Sequence, residues 1–307
     1  MNADERRSGW NFVSAFIGVY RRLVTCSLSL VILLLAAWAV VAPRRIVSTA
    51  PSITEMLYAL GLGDRVVGVT TFCHYPPEVA KKPKIGTYLR PDVEMILALR
   101  PDVVIAERSM IRGPVSLPSL KLNVVEVDDS SIEGIYGSIR EIGRLASVPE
   151  RAEALCASIR SELERIRRAT APLPRRKVLF IVGRTPGKIE DLIAAGNSSY
   201  LNELLALAGG ENLLRDAAVA YAKISVEEVL ARNPDVIIDI GEMADTAGVS
   251  EEEKRAVVAL WSRYPSLKAV RNRRAFAIAS DIFVVPGPRV VDAARQCARM
   301  IHPEAFR

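Results

Sequence analysis

The chain has 307 residues and a formal net charge of +6, with 50% of its residues apolar and 25% charged. That length accommodates two domains, and that composition excludes a disordered chain. Residues 1–42 carry +2 of the charge, leaving a mild +4 for the rest, and no basic stripe with interleaved aromatics is present, which excludes nucleic acid as a partner.

At the N-terminus, Arg21 and Arg22 precede an uncharged, mostly apolar run of 20 residues from Leu23 to Ala42. Basic residues before an apolar core mark a secretory signal, and Ala37-Trp38-Ala39 offers a small-x-small cleavage site. A run of this length also suffices to span a bilayer as an uncleaved anchor. Both outcomes place residues 43–307 outside the cytoplasm; a buried core helix is the remaining alternative. Cys26 lies near the start of the apolar run rather than after it, where a lipoprotein signal needs its cysteine.

Residues 43–130 read as a first α/β lobe. Arg45 to Ser48 is a short apolar strand, and Ser52-Ile53-Thr54-Glu55 has the spacing of a capping box. The helix that follows is expected to end near Gly61 or Gly63, where glycine permits a left-handed cap. Further strands are expected at Val66–Val69, Val103–Ala106 and Val124–Val127. Short β–α–β units of this kind imply a mainly parallel sheet covered by helices. Phe72-Cys73-His74-Tyr75-Pro76-Pro77 follows a strand, so it sits at the carboxyl end of the sheet, where open α/β sheets bind ligands.

Residues 131–171 read as a helical linker, split at Pro149 because proline suits a first helical turn. Its second part, Pro149 to Ala169, is long enough to reach from one lobe to another and stiff enough to limit hinge motion. Residues 172–307 read as a second α/β lobe. Strands are expected at Val178–Val182, Val236–Ile240 and Arg274–Ile278, with helices at about Ser199–Ala208, Val226–Arg232, Glu251–Leu260 and Pro288–His302.

An internal repeat relates the lobes. Residues 92–105 and 225–238 are identical at eight of fourteen positions, including Val93/Val226, Glu94/Glu227 and Pro101-Asp102-Val103/Pro234-Asp235-Val236. Each copy predicts a short helix capped by Asp92 or Ser225, a turn through Pro-Asp, and a buried strand. Glu94 and Glu227 fall in matching first turns, and such a pair suits basic groups on a symmetric, dimeric partner. Tyr88 and Tyr221 stand at the same offset, four residues before each cap, placed to grip a planar ligand from both sides.

Other chemistries find no support. His74 and His302 are the only histidines, too few for a multi-histidine metal site or for Ser-His-Asp catalysis with its G-x-S-x-G elbow. Neither phosphate-binding glycine motif is present. Cys73, Cys156 and Cys297 form no disulfide framework; they read as buried thiols, with a Cys156–Cys297 bridge as the alternative. The chain is expected to be no enzyme and to hold no resident cofactor or metal.

These residues resemble the periplasmic substrate-binding proteins of ABC importers, in the class whose lobes are joined by a rigid helix, known as class III. Within it they look most like the cobalamin receptors, over about residues 44–303. The carriers are Arg45 to Ser48 with Pro51 to Glu55, Tyr75-Pro76-Pro77, Glu94 to Ile105, Ala208 to Asn212, Ser225 to Val236, and Ser280-Asp281 with Pro288-Arg289. The resemblance implies a monomeric receptor that binds a small molecule between its lobes and delivers it to a dimeric permease in the inner membrane. It implies docking to that permease through Glu94 and Glu227. It implies a cleft lined by Phe72, Tyr88, Tyr221 and Asp281; Ser52 and His74 join them as candidate ligand contacts. Tyr88 and Tyr221 stand where a cobalamin receptor has tryptophans, Val285 replaces an arginine, and Ala208 matches a cysteine. A haem or ferric-siderophore receptor is therefore the alternative ligand class, with His74 able to reach a metal. A membrane-anchored enzyme or signalling domain reusing the fold is the alternative of another kind.

Overall fold

The apolar runs of the first lobe form a wholly parallel sheet. The structure, a computed structural model, describes residues 42–87, 90–108, 121–241 and 250–306. Ile46–Ser48 (β1), Val66–Val69 (β2), Val103–Glu107 (β3) and Val124–Val127 (β4) lie in the order β2-β1-β3-β4. β1 is buried throughout and β3 is buried up to its last residue, Glu107. Continuous burial of this kind is what a parallel strand needs when both sheet faces are covered.

The helix after β1, Pro51–Ala59 (α1), corrects the predicted capping box. Pro51 occupies the first turn, Ala50 is the N-cap, and no side chain caps the helix. Proline pre-sets the helical φ, so Ser52 lies inside the helix instead of ahead of it. The two side chains expected to cap each other are both engaged elsewhere, Ser52 by Glu107 and Glu55 by Arg289 of the second lobe. The helix stops as expected, with Gly61 in the left-handed region at φ +72°.

The repeat is the same device built twice. Val93–Ala98 (α2) is capped by Asp92, which accepts from Met95 N at 2.9 Å, and leads to β3. In the second lobe Val226–Arg232 (which becomes α6 below) is capped by Ser225, which accepts from Glu228 N at 3.2 Å. Arg100 and Asn233, at equivalent positions, both adopt positive φ, 44° and 47°. The repeated Pro-Asp also has a function in each lobe. Asp102 Oδ2 accepts from Arg44 N at 2.7 Å and Arg45 N at 2.9 Å, and Asp235 Oδ2 accepts from Lys177 N at 2.9 Å. Each aspartate thus fixes the start of the strand beside its own.

Ile132–Leu145 (α3) and Pro149–Thr170 (α4) make the linker, with Pro149 in the first turn of α4 as expected. The 22 residues of α4 span about 33 Å at 1.5 Å per residue. Its buried stripe, Ala152, Cys156, Ile159, Leu163, Ile166 and Thr170, repeats at helical spacing. Gly143 of α3 lets α4 approach closely, since a Cβ there would lie 2.4 Å from Ala152 Cβ. Gly143→Ala would gain about 1 kcal/mol of helix propensity but overpack a tight crossing by about 1–3 kcal/mol. At 2.4 Å the clash wins, so a lowered thermal midpoint is expected on calorimetric unfolding.

The second lobe carries a mainly parallel sheet with an antiparallel edge. Arg176–Gly183 (β5), Leu192–Ala195 (β6), Tyr221–Ile224 (β8), Val236–Asp239 (β9) and Ala275–Ala277 (β10) run in the order β10-β9-β5-β6-β8, with Gly210–Asn212 (β7) paired to β5. β7, β9 and β10 are parallel to their neighbours, whereas β6 and β8 are antiparallel. Tyr221 therefore begins a strand and is not in a loop. The helices are Tyr200–Leu207 (α5), α6, Glu251–Trp261 (α7), Lys268–Arg271 (α8) and Val290–Ile301 (α9). α4 touches both lobes: Arg151 donates to Leu60 O of the first lobe at 3.3 Å, and α4 packs on α5 and α9 of the second, where Arg295 reaches Glu162 at 3.0 Å.

Residues 43–307 form one compact unit. Cys73, Cys156 and Cys297 are buried free thiols, so the Cys156–Cys297 bridge is not made. No helix among the described residues is long and apolar enough to cross a membrane. The apolar run before Ala42, and Tyr88, lie outside the described residues.

Candidate functional site

The parallel strands of the first lobe, and β10 of the second, lead at their carboxyl ends to the boundary between the lobes. On the first-lobe side, α1 follows β1, the loop from Thr70 follows β2, Glu107 ends β3, and Asp128-Asp129 follow β4. On the second-lobe side lie Tyr221 and the segment from Ser280 to Arg289 after β10. Gly287 meets α1 directly: a Cβ there would sit 3.6 Å from both Glu55 Oε2 and Ser52 O.

Arg289 ties the lobes together. Its Nε donates to Glu55 Oε2 at 2.9 Å, and its Nη2 donates to Glu55 Oε1. Nη1 and Nη2 also reach both oxygens of Asp281 at 2.9 and 2.8 Å. The Glu55 side chain is 2% exposed and that of Arg289 16%. Burial alone would lower the guanidinium, but the hydrogen bonds and charges of Glu55 and Asp281 raise it above its ordinary value, so it stays cationic. Burial raises the Glu55 carboxyl despite those bonds, so the pair forms at a desolvation cost. The guanidinium also stacks over the Tyr75 ring, 4.3 Å from its centroid. Asp281, expected to face a ligand, is thus first a partner of Arg289.

Tyr75 belongs to the loop whose aromatics were singled out in the sequence. Its anchor is Cys73, 1% exposed, whose Sγ lies 3.2 Å from both Thr54 Oγ1 and Thr70 Oγ1. Burial pushes this thiol up, so it serves packing rather than nucleophilic chemistry. With Cys73 turned in, Phe72, His74 and Tyr75 turn out; Phe72 is 44% and Tyr75 46% exposed. The loop is therefore not a turn with its rings in the core. Tyr221 is 43% exposed on the other lobe. Large apolar rings left in water at a lobe boundary are the usual lining of a ligand cleft.

Sequence reasoning missed a carboxyl pair. Ser52 Oγ donates to Glu107 Oε1 at 3.1 Å, and the Asp129 carboxyl lies beside both side chains. Burial raises Asp129 above the ordinary carboxylate range. Burial, and then the Asp129 charge, raise the Tyr221 phenol, so these groups sense each other across the boundary. The signal was present: an acidic residue directly at the carboxyl end of an apolar strand is placed where such sheets bind ligands. Beneath the cleft, buried Tyr200 donates to Phe283 O and holds the turn that carries Asp281.

Glu94 and Glu227 lie outside this region, each in the first turn of its repeat helix. Both are exposed, and neither forms an ion pair with a described residue. Glu227 is held below the ordinary carboxylate range by its own backbone N–H and by Ser225. Beside Glu94, Met95 and Leu97 are 39% and 45% exposed. His302 is fully buried, between Glu304 and Gly209 O, and belongs to the core. No group of three or more metal-ligating side chains occurs among the described residues.

Comparison with known proteins agrees with this fold. A model of a periplasmic binding protein family matches residues 46–282. The chain is 33% identical over 273 residues to the uncharacterized ABC transporter substrate-binding lipoprotein YvrC of Bacillus subtilis, covering 86% of this chain and 82% of that one. It superimposes with a TM-score of 0.72 on the periplasmic vitamin B12-binding protein BtuF of Vibrio cholerae, at 26% identity, covering 87% and 99% of the two chains. Against the apo form of the periplasmic haem-binding protein RhuT of Roseiflexus sp. RS-1 the TM-score is 0.71, at 27% identity, covering 85% and 99%.

Proposed function

This chain belongs to the periplasmic binding protein family, as an ABC-type substrate-binding protein of the cobalamin, siderophore and haem group, and we propose that its own ligand is cobalamin or a related corrinoid. The observation that carries this assignment is the set of exposed rings at the lobe boundary, Phe72 and Tyr75 on one lobe and Tyr221 on the other. Flat apolar faces suit a large planar ligand. The protein would take it up outside the cytoplasm, as a monomer with no enzymatic step and no resident cofactor. It would deliver the ligand to a dimeric permease that engages Glu94 and Glu227. The mature protein is either free in the periplasm or tethered through residues 23–42.

A second assignment, haem, has its own observation: His74 is exposed in the same loop as Phe72 and Tyr75. Neutral imidazole is a common ligand of haem iron. The absorbance spectrum of the freshly purified protein separates the two. Corrinoid bands unchanged by His74→Ala are expected; a Soret band lost in His74→Ala would replace the corrinoid assignment with haem.

A further inference from the structure

The carboxyl ends of β5, β9 and β10 frame a cavity of about 290 Å³, at the edge where parallel sheets bind ligands. Arg184 and Gly241 line one part of it, Glu253 and Val257 of α7 another, and Ala277 and Ile278 a third. None of the exposed rings at the lobe boundary lines it. β10 leads from it to the segment 280–289, which meets α1.

Arg184 is a charged group built into this wall. Its side chain is 6% exposed and that of Asp239 0%. Nε donates to Asp239 Oδ2 at 3.2 Å, and Nη1 donates to Thr185 O at 3.2 Å and Lys188 O at 3.4 Å. Asp239 is saturated in turn: Trp261 Nε1 donates to its Oδ2 at 2.8 Å and Gly241 N to its Oδ1 at 2.8 Å. The two N–H groups of Arg184 Nη2 have no partner among the described residues. They face open space, since a Cβ built on Gly241 would meet nothing within 4 Å except Nη2, at 3.9 Å. Donors on a buried side chain are normally satisfied, so a pair left open toward a cavity points to a group that enters it.

Glu253 supplies the complement. Its Oε2 accepts from Ser250 N at 2.7 Å and Ser250 Oγ at 2.8 Å, in the cap of α7. Those bonds hold the carboxyl below the ordinary carboxylate range. Oε1 has no partner among the described residues. Lys254, also at the cavity, pairs with Glu251 at 2.7 Å. With Arg184 balanced by Asp239, the unbalanced charge on the described lining is that of Glu253. The cavity thus offers a pair of N–H donors, a carboxylate acceptor and apolar walls.

We propose that this cavity takes a primary carboxamide arm of the ligand, its carbonyl accepting from Arg184 Nη2 and its amide N–H donating to Glu253 Oε1. This rests on the receptor assignment above and gives the second lobe a share of the ligand beyond Tyr221. A carboxamide has the acceptor and the donor that the lining lacks. A carboxylate has acceptors alone and meets the negative charge of Glu253. A corrin ring carries carboxamide arms around its edge, whereas haem carries propionates.

Trp261 reports on the site, because its indole N–H shares Asp239 Oδ2 with Arg184. The test follows that indole resonance by NMR in the full chain, assigned against Trp10→Phe and Trp38→Phe, during titration with propionamide, propionate and cyanocobalamin. Propionamide should move the resonance saturably and bind about tenfold tighter than propionate, as where a mismatched group leaves polar atoms unpaired. The second protein is Glu253→Gln. Glutamine keeps the cap of α7 and turns the free end of the side chain from acceptor to donor. The thermal midpoint should therefore hold while the preference reverses toward propionate. Cyanocobalamin should move the same resonance and bind Glu253→Gln about tenfold more weakly than the wild type. No movement with propionamide, propionate bound by the wild type as tightly as propionamide, or cyanocobalamin bound equally by both proteins overturns the proposal. If cyanocobalamin binds neither protein while propionamide still moves the resonance and the preference still reverses, the carboxamide cavity stands and the corrinoid assignment falls.

Discussion

Arg289→Ala is expected to lower the thermal midpoint by roughly 6–20 °C. The substitution strands Glu55, whose side chain is 2% exposed, without the guanidinium that faces both of its oxygens. Removing one partner of a buried ion pair costs about 3–5 kcal/mol, because the other charge stays buried. For a chain of this size each kcal/mol moves the midpoint by about 2–4 °C. The same substitution removes the stacking on Tyr75 and frees Asp281. Glu55→Leu/Arg289→Met removes both charges, and apolar replacement of a buried pair is close to neutral, so the double variant should recover most of the loss. A midpoint for Arg289→Ala within 2 °C of the wild type would show that the contact does not join the lobes. The consequence for function is geometric. With α4 on one side and Arg289 on the other, the lobes are held at two places, and the cleft is largely formed before ligand arrives.

Glu94→Ala/Glu227→Ala is expected to reduce ligand uptake by cells at least tenfold while ligand affinity stays within about twofold. Both carboxylates are exposed at matching positions of a repeat whose caps, positive-φ turns and strand-fixing aspartates also match. Neither forms an ion pair with another described residue, and neither lies among the residues that meet at the cleft. Removal should move the thermal midpoint little, as for surface substitutions away from buried contacts. Each single variant should fall between the wild type and the double variant, since a symmetric partner offers each lobe its own basic site. Uptake measured with labelled ligand, beside calorimetric affinity, separates docking from binding. Full uptake by the double variant would remove these residues from the docking surface.

Much of this was legible in the chain because it is written locally. The repeat revealed both capped helices, both Pro-Asp turns and both buried strands, since caps and strand burial depend on residues a few positions apart. Pro149 marked the start of the long helix for the same reason. β6 and β8 escaped because neither has a distinctive signal: Leu192 to Ala195 is a bare apolar tetrad, and Tyr221 to Ile224 is mostly exposed or half-buried. Ser52 and Glu55 were misassigned because their spacing satisfies a local rule, while their partners lie 55 and 234 residues away. The cleft loop was found from its prolines and rings. That Cys73 turns inward and its neighbours outward depends on Thr54 and Thr70, a packing detail no periodicity encodes. The carboxyl pair needed the strand order, because only the β3–β4 pairing puts Glu107 beside Asp129.

The central claim, that a corrinoid binds between the lobes, is tested most directly by titrating residues 43–307 with cyanocobalamin in a calorimeter. Saturable binding at one ligand per chain is expected, weakened at least tenfold by Tyr221→Ala, which removes the exposed ring on the second lobe. No heat of binding at tens of micromolar ligand, from protein that still unfolds cooperatively, would contradict it.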